Sequence, residues 1–319
     1  MQEINILNEG YNYGKLASIS KGSIIKINNK SYIDLSYSAG SIILGHSNKI
    51  FKKILNEISK KNISNYAFPN IYAKKFSTSL KKIFPNHKKF IFCNSGSEAI
   101  IKGIRICRAI SKKKIIINTS GSWHGSVNET LYTSNKNHKP IKLSDGLPKH
   151  TKNELRFIPY GDKKKSKKIL DAYKNKISCI LIEPIQGALP SSVNLDYIKF
   201  LYTYAKKNNI IIFFDEIITG LRDSKNSFQS RFKFKPNLSV FGKSFAGGLP
   251  IGIIAVDKKI DSKIKSKKLN IFFGGTFSGN SIIMYVANSI TNYLLKNKNI
   301  RLDLEKKTDK FKLELNTFI

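Results

Sequence analysis

The residue with the clearest capacity for chemistry is a lysine that follows an apolar run and precedes a glycine-rich turn. Lys243 comes directly after residues 239–242, and Gly247 and Gly248 follow it closely. A lysine amine in a partly desolvated site has a lowered pKa and forms a Schiff base with a carbonyl compound. Glycines let the backbone approach a ligand closely. The simpler alternative is a surface lysine in a glycine turn, because lysines are abundant throughout the chain.

A second candidate is the acidic pair Asp215–Glu216, which ends the apolar run 210–214. A carboxylate at the end of a buried strand can hold a proton on a ring nitrogen of a bound cofactor, which makes that ring an electron sink. A metal ligand or a helix cap would use the same residue type equally well.

A third candidate is the segment 94–99, in which small residues separate an apolar run from a helical pattern. Ser95, Gly96 and Ser97 lie where that helix begins. The exposed N–H groups and the helix dipole favour an anion such as a phosphate, and the serine hydroxyls add donors. An ordinary N-cap formed by Ser95 or Ser97 is the alternative.

Alternating strand and helix patterns position these three segments. The predicted strands are 89–93, 114–118, 178–182, 210–214, 238–241 and 251–256, and the predicted helices between them are 97–110 and 196–208. Such alternation predicts an α/β fold with a mostly parallel sheet and helices on both faces. Ligands bind beyond the carboxyl ends of the strands in such sheets, which is where all three candidates lie.

The remaining parts of the sequence also show strand, helix and loop patterns. We predict a hairpin of strands 23–27 and 32–35, helices over 49–61, 71–83, 282–295 and 302–315, and a long irregular loop over 133–160.

The net charge of +35 is extreme, but only six of the 56 basic residues are arginine. Arginine is the residue preferred for bidentate recognition of phosphates and bases. The lysines are spread along the whole chain, which is typical of a solvated surface with a compositional bias. We therefore expect no specific nucleic-acid partner. A charge-driven nucleic-acid-binding protein remains an alternative, which predicts binding with a steep salt dependence.

The three cysteines, Cys93, Cys107 and Cys179, have no metal-type spacing and no even framework. We expect no metal site and a reducing, cytoplasmic location. The N-terminus shows no secretory pattern, and no apolar run is long enough to span a bilayer, so no membrane association is expected.

Six segments, taken together and in order, resemble the class III aminotransferases that depend on pyridoxal 5'-phosphate (PLP), most closely the glutamate-1-semialdehyde 2,1-aminomutase branch. They are 94–99 (NSGSEA), 121–125 (GSWHG), 183–187 (EPIQG), 214–222 (FDEIITGLR), 241–250 (FGKSFAGGLP) and 275–280 (GTFSGN). The step Leu44-Gly45-His46 also matches, and the resemblance covers nearly all of the chain. It implies the fold-type-I architecture of PLP-dependent transferases.

The resemblance implies a cofactor-binding role for ten residues: Ser95, Gly96, Ser97, Trp123, His124, Glu183, Asp215, Ile218, Lys243 and Thr276. The implied catalytic residues are Lys243, which forms the Schiff base and then moves a proton, and Asp215, which pairs with the pyridinium nitrogen. Gly96 and Ser97 would hold the phosphate. Amino groups would pass between small amino and carbonyl substrates through a pyridoxamine phosphate intermediate.

Further implied roles concern residues around this centre. Trp123 corresponds to the aromatic ring that stacks on the cofactor, with a packed surface aromatic as the alternative. Thr276 corresponds to a residue that reaches the phosphate of the neighbouring subunit, which implies a homodimer with shared active sites; simple turn chemistry is the alternative. Glu183 would line the same cavity, and His124 would be a structural hydrogen-bonding residue. Arg222 is either functional or a charge on a helix surface.

Two features bear on the substrate. The apolar Ile218 favours the aminomutase branch. The aminomutase holds the substrate carboxylate with an N-terminal arginine, whereas here no arginine precedes Arg105, and a lysine offers a point charge instead of a fork. Ala39 also occupies a position near Ser41 where the aminomutase has tryptophan. We therefore hypothesise an aminotransferase, with the aminomutase as one alternative and a non-catalytic relative as another.

The predicted domains are an N-terminal segment (1–48) with short strands, a large PLP-binding α/β domain (49–295), and the start of a truncated small C-terminal domain (296–319).

Overall fold

The computed structural model describes residues 17–66, 68–190 and 193–317. The strands are β1 Ala17–Lys21, β2 Ile24–Ile27, β3 Lys30–Ile33, β4 His87–Cys93, β5 Ile115–Thr119, β6 Tyr132–Ser134, β7 Pro140–Lys142, β8 Leu155–Ile158, β9 Ile177–Ile182, β10 Ile211–Asp215, β11 Leu238–Gly242 and β12 Gly252–Asp257. The helices are α1 Tyr37–Gly40, α2 Lys49–Lys60, α3 Ile71–Ile83, α4 Gly96–Ser111, α5 Lys149–Glu154, α6 Lys163–Tyr173, α7 Leu195–Lys207, α8 Phe228–Arg231, α9 Lys258–Ser266, α10 Ser281–Lys296 and α11 Lys298–Asn316, with 3-10 turns at Lys174–Lys176 and Lys243–Ala246. None of the helices in these ranges is long and apolar enough to cross a bilayer.

A seven-stranded sheet in the order β4-β12-β11-β10-β9-β5-β8 forms the centre of the molecule. Only β12 runs antiparallel to its neighbours β4 and β11. The prediction of a mostly parallel sheet is therefore confirmed.

The strands are apolar on both sides, so each face of the sheet needs a covering layer of helices. Ile211 and Phe213 of β10 pack in the core that includes the buried side of α4. Ile212 and Phe214 face the opposite way, into the core that α7 completes. Further along that second face, buried side chains of α3 and α10 share one core cluster with Ile253 and Ala255 of β12. Helices thus lie on both faces, as predicted.

The expected hairpin is present as part of a small antiparallel sheet of β1, β2 and β3. Asn28 and Asn29 connect β2 to β3 with φ angles of 46° and 63°. Two consecutive residues with positive φ suit the tight turn that matches strand twist, and asparagine tolerates that conformation.

The predicted irregular loop over 133–160 is wrong in part. The chain forms the short ladder β6–β7, then α5, then β8, which pairs in parallel with β5 from Leu155 opposite Ile116 to Ile158 opposite Thr119. The signal in the sequence is weak because the strand has four residues and Arg156 interrupts its apolar character. The Arg156 guanidinium lies over the ring of Tyr173, 4.6 Å from the centroid, which allows a charge at this sheet edge.

The predicted division at 48/49 and 295/296 coincides with the start of α2 and nearly with the end of α10. Residues 1–16 of the predicted N-terminal segment lie outside the described residues. The last helix, α11, is joined to the loop after β10 through Arg301, which is 1% exposed and donates to the carbonyl of Asp223 (2.9 Å) and to Asn226 Oδ1 (2.6 Å). The domain division itself stays a prediction.

Candidate active site

A cavity of about 190 Å³ opens at the carboxyl ends of the parallel strands. Its lining residues are Gly96, Ser97, Trp123, His124, Gly125, Glu183, Asp215, Ile217, Ile218, Lys243 and Ile251. Eight of the ten residues predicted to bind the cofactor are in this set, although they come from five separate segments of the sequence. Ser95 and Thr276 are not.

Lys243 begins the 3-10 turn that follows β11, and it has a φ angle of 47°. A left-handed backbone at a residue with a Cβ costs free energy, and such conformations cluster at functional sites. Burial lowers the pKa of the Lys243 amine; the charge of Asp215 opposes this shift, and that of Arg222 adds to it. The amine is therefore uncharged, and able to attack a carbonyl carbon, at lower pH than an exposed lysine.

Asp215 ends β10 and is nearly buried, at 5% exposure. Its Oδ1 accepts a hydrogen bond from the backbone N–H of Ile217 at 3.0 Å, and its Oδ2 lies 2.7 Å from His124 Nδ1. The other ring nitrogen of His124 lies 2.9 Å from Asn118 Oδ1. These contacts fix the carboxylate at the cavity wall.

The beginning of α4 forms one end of the cavity, where its backbone N–H groups suit an anion. The Ser95 hydroxyl accepts from the backbone N–H of Glu98 at 3.1 Å and is the N-cap, which is the alternative left open by the sequence. Ser97 Oγ accepts from the backbone N–H of Ser126 at 3.1 Å. A Cβ atom on Gly125 would lie 2.2 Å from that oxygen, so a glycine is needed there. The N-terminus of α4 and the Ser97 side chain thus both line the cavity.

Trp123 is 52% exposed and lines the cavity mouth. Its backbone N–H donates to Glu183 Oε2 at 2.8 Å, while Glu183 Oε1 accepts from the backbone N–H of Gly187 at 3.3 Å. Burial raises the pKa of Glu183, and the nearby charge of Asp215 acts in the same direction, whereas His124 opposes it. Glu183 therefore fixes the turn that carries Trp123, and it also lines the cavity.

Two further residues of the motifs lie outside the cavity lining. Arg222 is not a charge on a helix surface: its Nε donates to the carbonyl of Ile218 at 2.8 Å, and its NH2 group donates to the carbonyl of Gly40. Thr276 lies on an exposed loop between Phe272 and Phe277, which are 73% and 59% exposed. The role of Thr276 toward a phosphate stays a prediction.

The sequence did not single out Ile217, Ile251, Gly125 or Asn118. Gly125 lies within the segment 121–125 that resembles the family, so the resemblance already included this residue. Asn118 is a fully buried polar residue within the run Ile115–Thr119. A buried amide in an otherwise β-branched strand requires a hydrogen-bonding partner, and this requirement could identify Asn118 from the sequence.

A family model for class III aminotransferases matches residues 14–318. Among curated proteins, the glutamate-1-semialdehyde 2,1-aminomutase of Wigglesworthia glossinidia brevipalpis is 34% identical over 311 residues, covering 95% of this chain and 70% of that protein. The enzyme of the same name from Thermosipho melanesiensis is 33% identical, covering 90% of this chain and 68% of that protein. The chain thus spans about two thirds of the length of these relatives.

Solved structures agree on the fold. Taurine:2-oxoglutarate aminotransferase from Bifidobacterium kashiwanohense, in complex with PLP and glutamate, has a TM-score of 0.81 at 18% identity, covering 98% of this chain and 75% of that one. At this identity the likeness concerns the fold. The family match over nearly the whole chain, together with these relatives, shows that the chain belongs to the class III aminotransferases, a family of PLP-dependent enzymes.

Proposed function

We propose that this chain binds PLP in the described cavity and transfers amino groups between small amino and carbonyl compounds. The observation that carries the proposal is the convergence of three groups on one cavity. They are the Lys243 amine, the Asp215 carboxylate and the beginning of α4 at Gly96 and Ser97.

The residues present fit the chemical groups of PLP. A phosphate suits the N-terminus of a 16-residue helix, where backbone N–H groups and the Ser97 hydroxyl are available. A pyridine nitrogen suits a carboxylate acceptor, and an aldehyde suits an amine whose pKa is lowered by burial. The exposed face of Trp123 suits a flat aromatic ring. The absence of a Cβ on Gly125 lets the Ser97 hydroxyl lie against this turn, because a Cβ there would be 2.2 Å from Ser97 Oγ.

When bound, PLP supplies an aldehyde carbon that takes up an amino group and a ring that withdraws electrons. Gly96 and Ser97 bind the phosphate and so fix the position of the ring. The Asp215 carboxylate holds a proton at the ring nitrogen. Lys243 Nζ would hold the aldehyde carbon until a substrate amine displaces it, and the freed amine would then carry a proton to or from the substrate carbon. Trp123 would cover one side of the ring and exclude water from it.

A second candidate is amino transfer within one molecule, as in the aminomutases. It is favoured by the curated relatives, which carry the name glutamate-1-semialdehyde 2,1-aminomutase at 34% and 33% identity. It is also favoured by the apolar Ile218 in the cavity lining. Against it stands the lack of any arginine before Arg105, since an arginine fork is the strongest partner for a substrate carboxylate.

We further propose that the working form is a homodimer, in which the exposed loop with Thr276 approaches the cofactor phosphate of the neighbouring subunit. The exposed side chains of Phe272 and Phe277 beside that loop support a covered surface there. A reducing, cytoplasmic location is supported by the three cysteines, which are buried and unpaired by disulfides in the described residues.

The test is to follow the amino group with the purified chain saturated with PLP. Protein is incubated with 15N-labelled amino acids and a panel of 2-oxo acids, and label in the new amino acid is measured by mass spectrometry. A parallel reaction contains glutamate-1-semialdehyde alone. Label passing between two molecules supports the aminotransferase, and exchange of the amino and oxo groups within the semialdehyde supports the aminomutase. Cofactor binding with neither reaction would contradict both and favour a binding protein.

A further inference from the structure

A fully buried amide lies behind the Asp215 carboxylate. Asn118, in β5, is 0% exposed and is flanked by buried strand residues. Its Oδ1 lies 2.9 Å from His124 Nε2 and 2.8 Å from the backbone N–H of Thr119. Its Nδ2 has no hydrogen-bonding partner among the residues that the structure describes. A buried amide with an unsatisfied donor costs free energy, and the two hydrogen bonds that its oxygen makes offset part of that cost.

The donors and acceptors fix the protons of the His124 ring. An amide oxygen can only accept, so a hydrogen bond to Asn118 Oδ1 requires a proton on His124 Nε2. An ionised Asp215 can also only accept, so the 2.7 Å contact requires a proton on Nδ1. An imidazole with both ring protons is a cation, and in that form the 2.7 Å contact with Asp215 is a buried ion pair.

Two alternative arrangements are less favourable. If the Asn118 amide were rotated, Nδ2 would face the Thr119 N–H, donor against donor, and Oδ1 would take the position where Nδ2 has no partner. If instead Asp215 held the proton and Nδ1 did not, the Ile217 N–H would lose a charged acceptor, because it donates to Oδ1 at 3.0 Å. The cationic ring satisfies more groups than either arrangement.

We propose that Asn118 is a positioning residue that keeps His124 doubly protonated, so that Asp215 stays ionised and aimed at the ring nitrogen of the cofactor. This inference rests on the proposed function for its consequence in PLP binding, but the protonation of His124 belongs to the protein alone. Glu183 and Lys243 are the other titratable groups that line the same cavity beside His124 and Asp215. Asp215 then has one fixed donor on each oxygen and remaining lone pairs for the cofactor.

The first test is the 15N spectrum of histidine-labelled full-length protein without PLP, at about pH 8, above the ordinary imidazole pKa of about 6.5. The His124 signals are assigned by their absence from a His124→Gln sample. We expect both ring nitrogens of His124 to carry protons. One protonated and one bare nitrogen would overturn the proposal, whatever the enzyme does with PLP.

The second test compares three variants by the same spectrum and by PLP titration. In Asn118→Leu we expect the loss of the Nε2 proton and an approximately tenfold weaker binding of PLP, the usual size for one charge-assisted hydrogen bond. Asn118→Asp keeps an acceptor and should retain both protons. Asn237→Leu is the matched control, because Asn237 accepts from Ile212 and donates to Asp257 at the opposite edge of the same sheet. Unchanged ring protons and PLP affinity in folded Asn118→Leu would overturn the proposal; if that variant does not fold, the wild-type spectrum still decides.

Discussion

Asp215 and Lys243 reach one cavity from neighbouring parallel strands. Asp215 pairs in register with Val240, three residues before Lys243, so the two side chains emerge at the same edge of the sheet. Adjacent strands are about 4.8 Å apart, so the Lys243 amine and the Asp215 carboxylate are close enough to contact one small aromatic ring. The parallel topology thus produces the constellation from residues that are 28 positions apart in the sequence.

The first prediction concerns the charge of Asp215. Asp215→Asn removes the negative partner of a ring-nitrogen proton while keeping the size of the side chain. We expect roughly tenfold weaker PLP binding and an amino-transfer rate lower by at least about a hundredfold, because a preorganised charge at the reacting group is lost. Titration with PLP and single-turnover kinetics measure the two effects. Asp145→Asn, on an exposed turn, is the control. An Asp215→Asn enzyme as fast as the wild type would refute the assigned role.

The second prediction concerns pH. Since burial lowers the pKa of Lys243, its neutral form appears at lower pH than that of exposed lysines. The rate of covalent PLP attachment should rise with pH and reach its plateau below the ordinary lysine pKa of about 10.4.

The charge of Arg222 contributes to that lowering, so Arg222→Gln should move the midpoint of the attachment rate to higher pH. Arg231→Gln is the control, because Arg231 pairs with Asp223 and Glu305, away from the cavity lining. A midpoint at the value of free lysine in the wild type, or a shift to lower pH in Arg222→Gln, would contradict this account.

Regular apolar spacing and motif residues can be recognised in the sequence, whereas short strands and side-chain hydrogen bonds cannot. Helices with regular apolar spacing were predicted closely, α3 at its bounds Ile71–Ile83. The candidate segments can be recognised because small residues, a carboxylate and a lysine follow apolar runs, and because their order resembles the class III aminotransferases. β8 was missed because four residues carry little periodicity and Arg156 breaks it. The contact between Asn118 and His124 cannot be predicted from the sequence. It depends on how the side chains of β5 and of the turn at His124 are oriented, which residue spacing does not determine.

A third prediction tests the phosphate end of the cavity with two glycines. Gly125 and Gly146 have similar φ angles of 79° and 77°. A Cβ on Gly125 would meet Ser97 Oγ at 2.2 Å, whereas a Cβ on Gly146 would have nothing within 4 Å. Both alanine variants should lose about 1 kcal/mol of stability through the left-handed backbone, and Gly125→Ala should lose more because the Ser97 side chain must also move.

Only Gly125→Ala should also bind PLP at least about tenfold more weakly, because it displaces the Ser97 hydroxyl. Thermal unfolding and PLP titration separate the two effects. Equal PLP affinities in the two variants would show that the Ser97 side of the cavity does not hold the phosphate.

The fourth prediction concerns shared active sites. Lys243→Ala and Thr276→Ala are each expected to be impaired when pure. If Thr276 acts on the neighbouring subunit, mixed dimers contain one site with both residues intact. Refolding the two variants together should then recover activity, because one of the two sites in each mixed dimer is intact. Recovery that does not exceed the sum of the pure variants would contradict sharing, as would a monomer in sedimentation analysis of the wild type.

The central claim is that Lys243 is the residue that bonds to PLP, and borohydride trapping tests it most directly. The full chain is incubated with PLP, reduced and digested, and the modified peptide is identified by mass spectrometry. Lys225→Arg is the matched control on an exposed lysine. The account predicts one stoichiometric adduct on Lys243, kept in Lys225→Arg and lost in Lys243→Arg. Label scattered over surface lysines, or a wild-type level of label in Lys243→Arg, would contradict it.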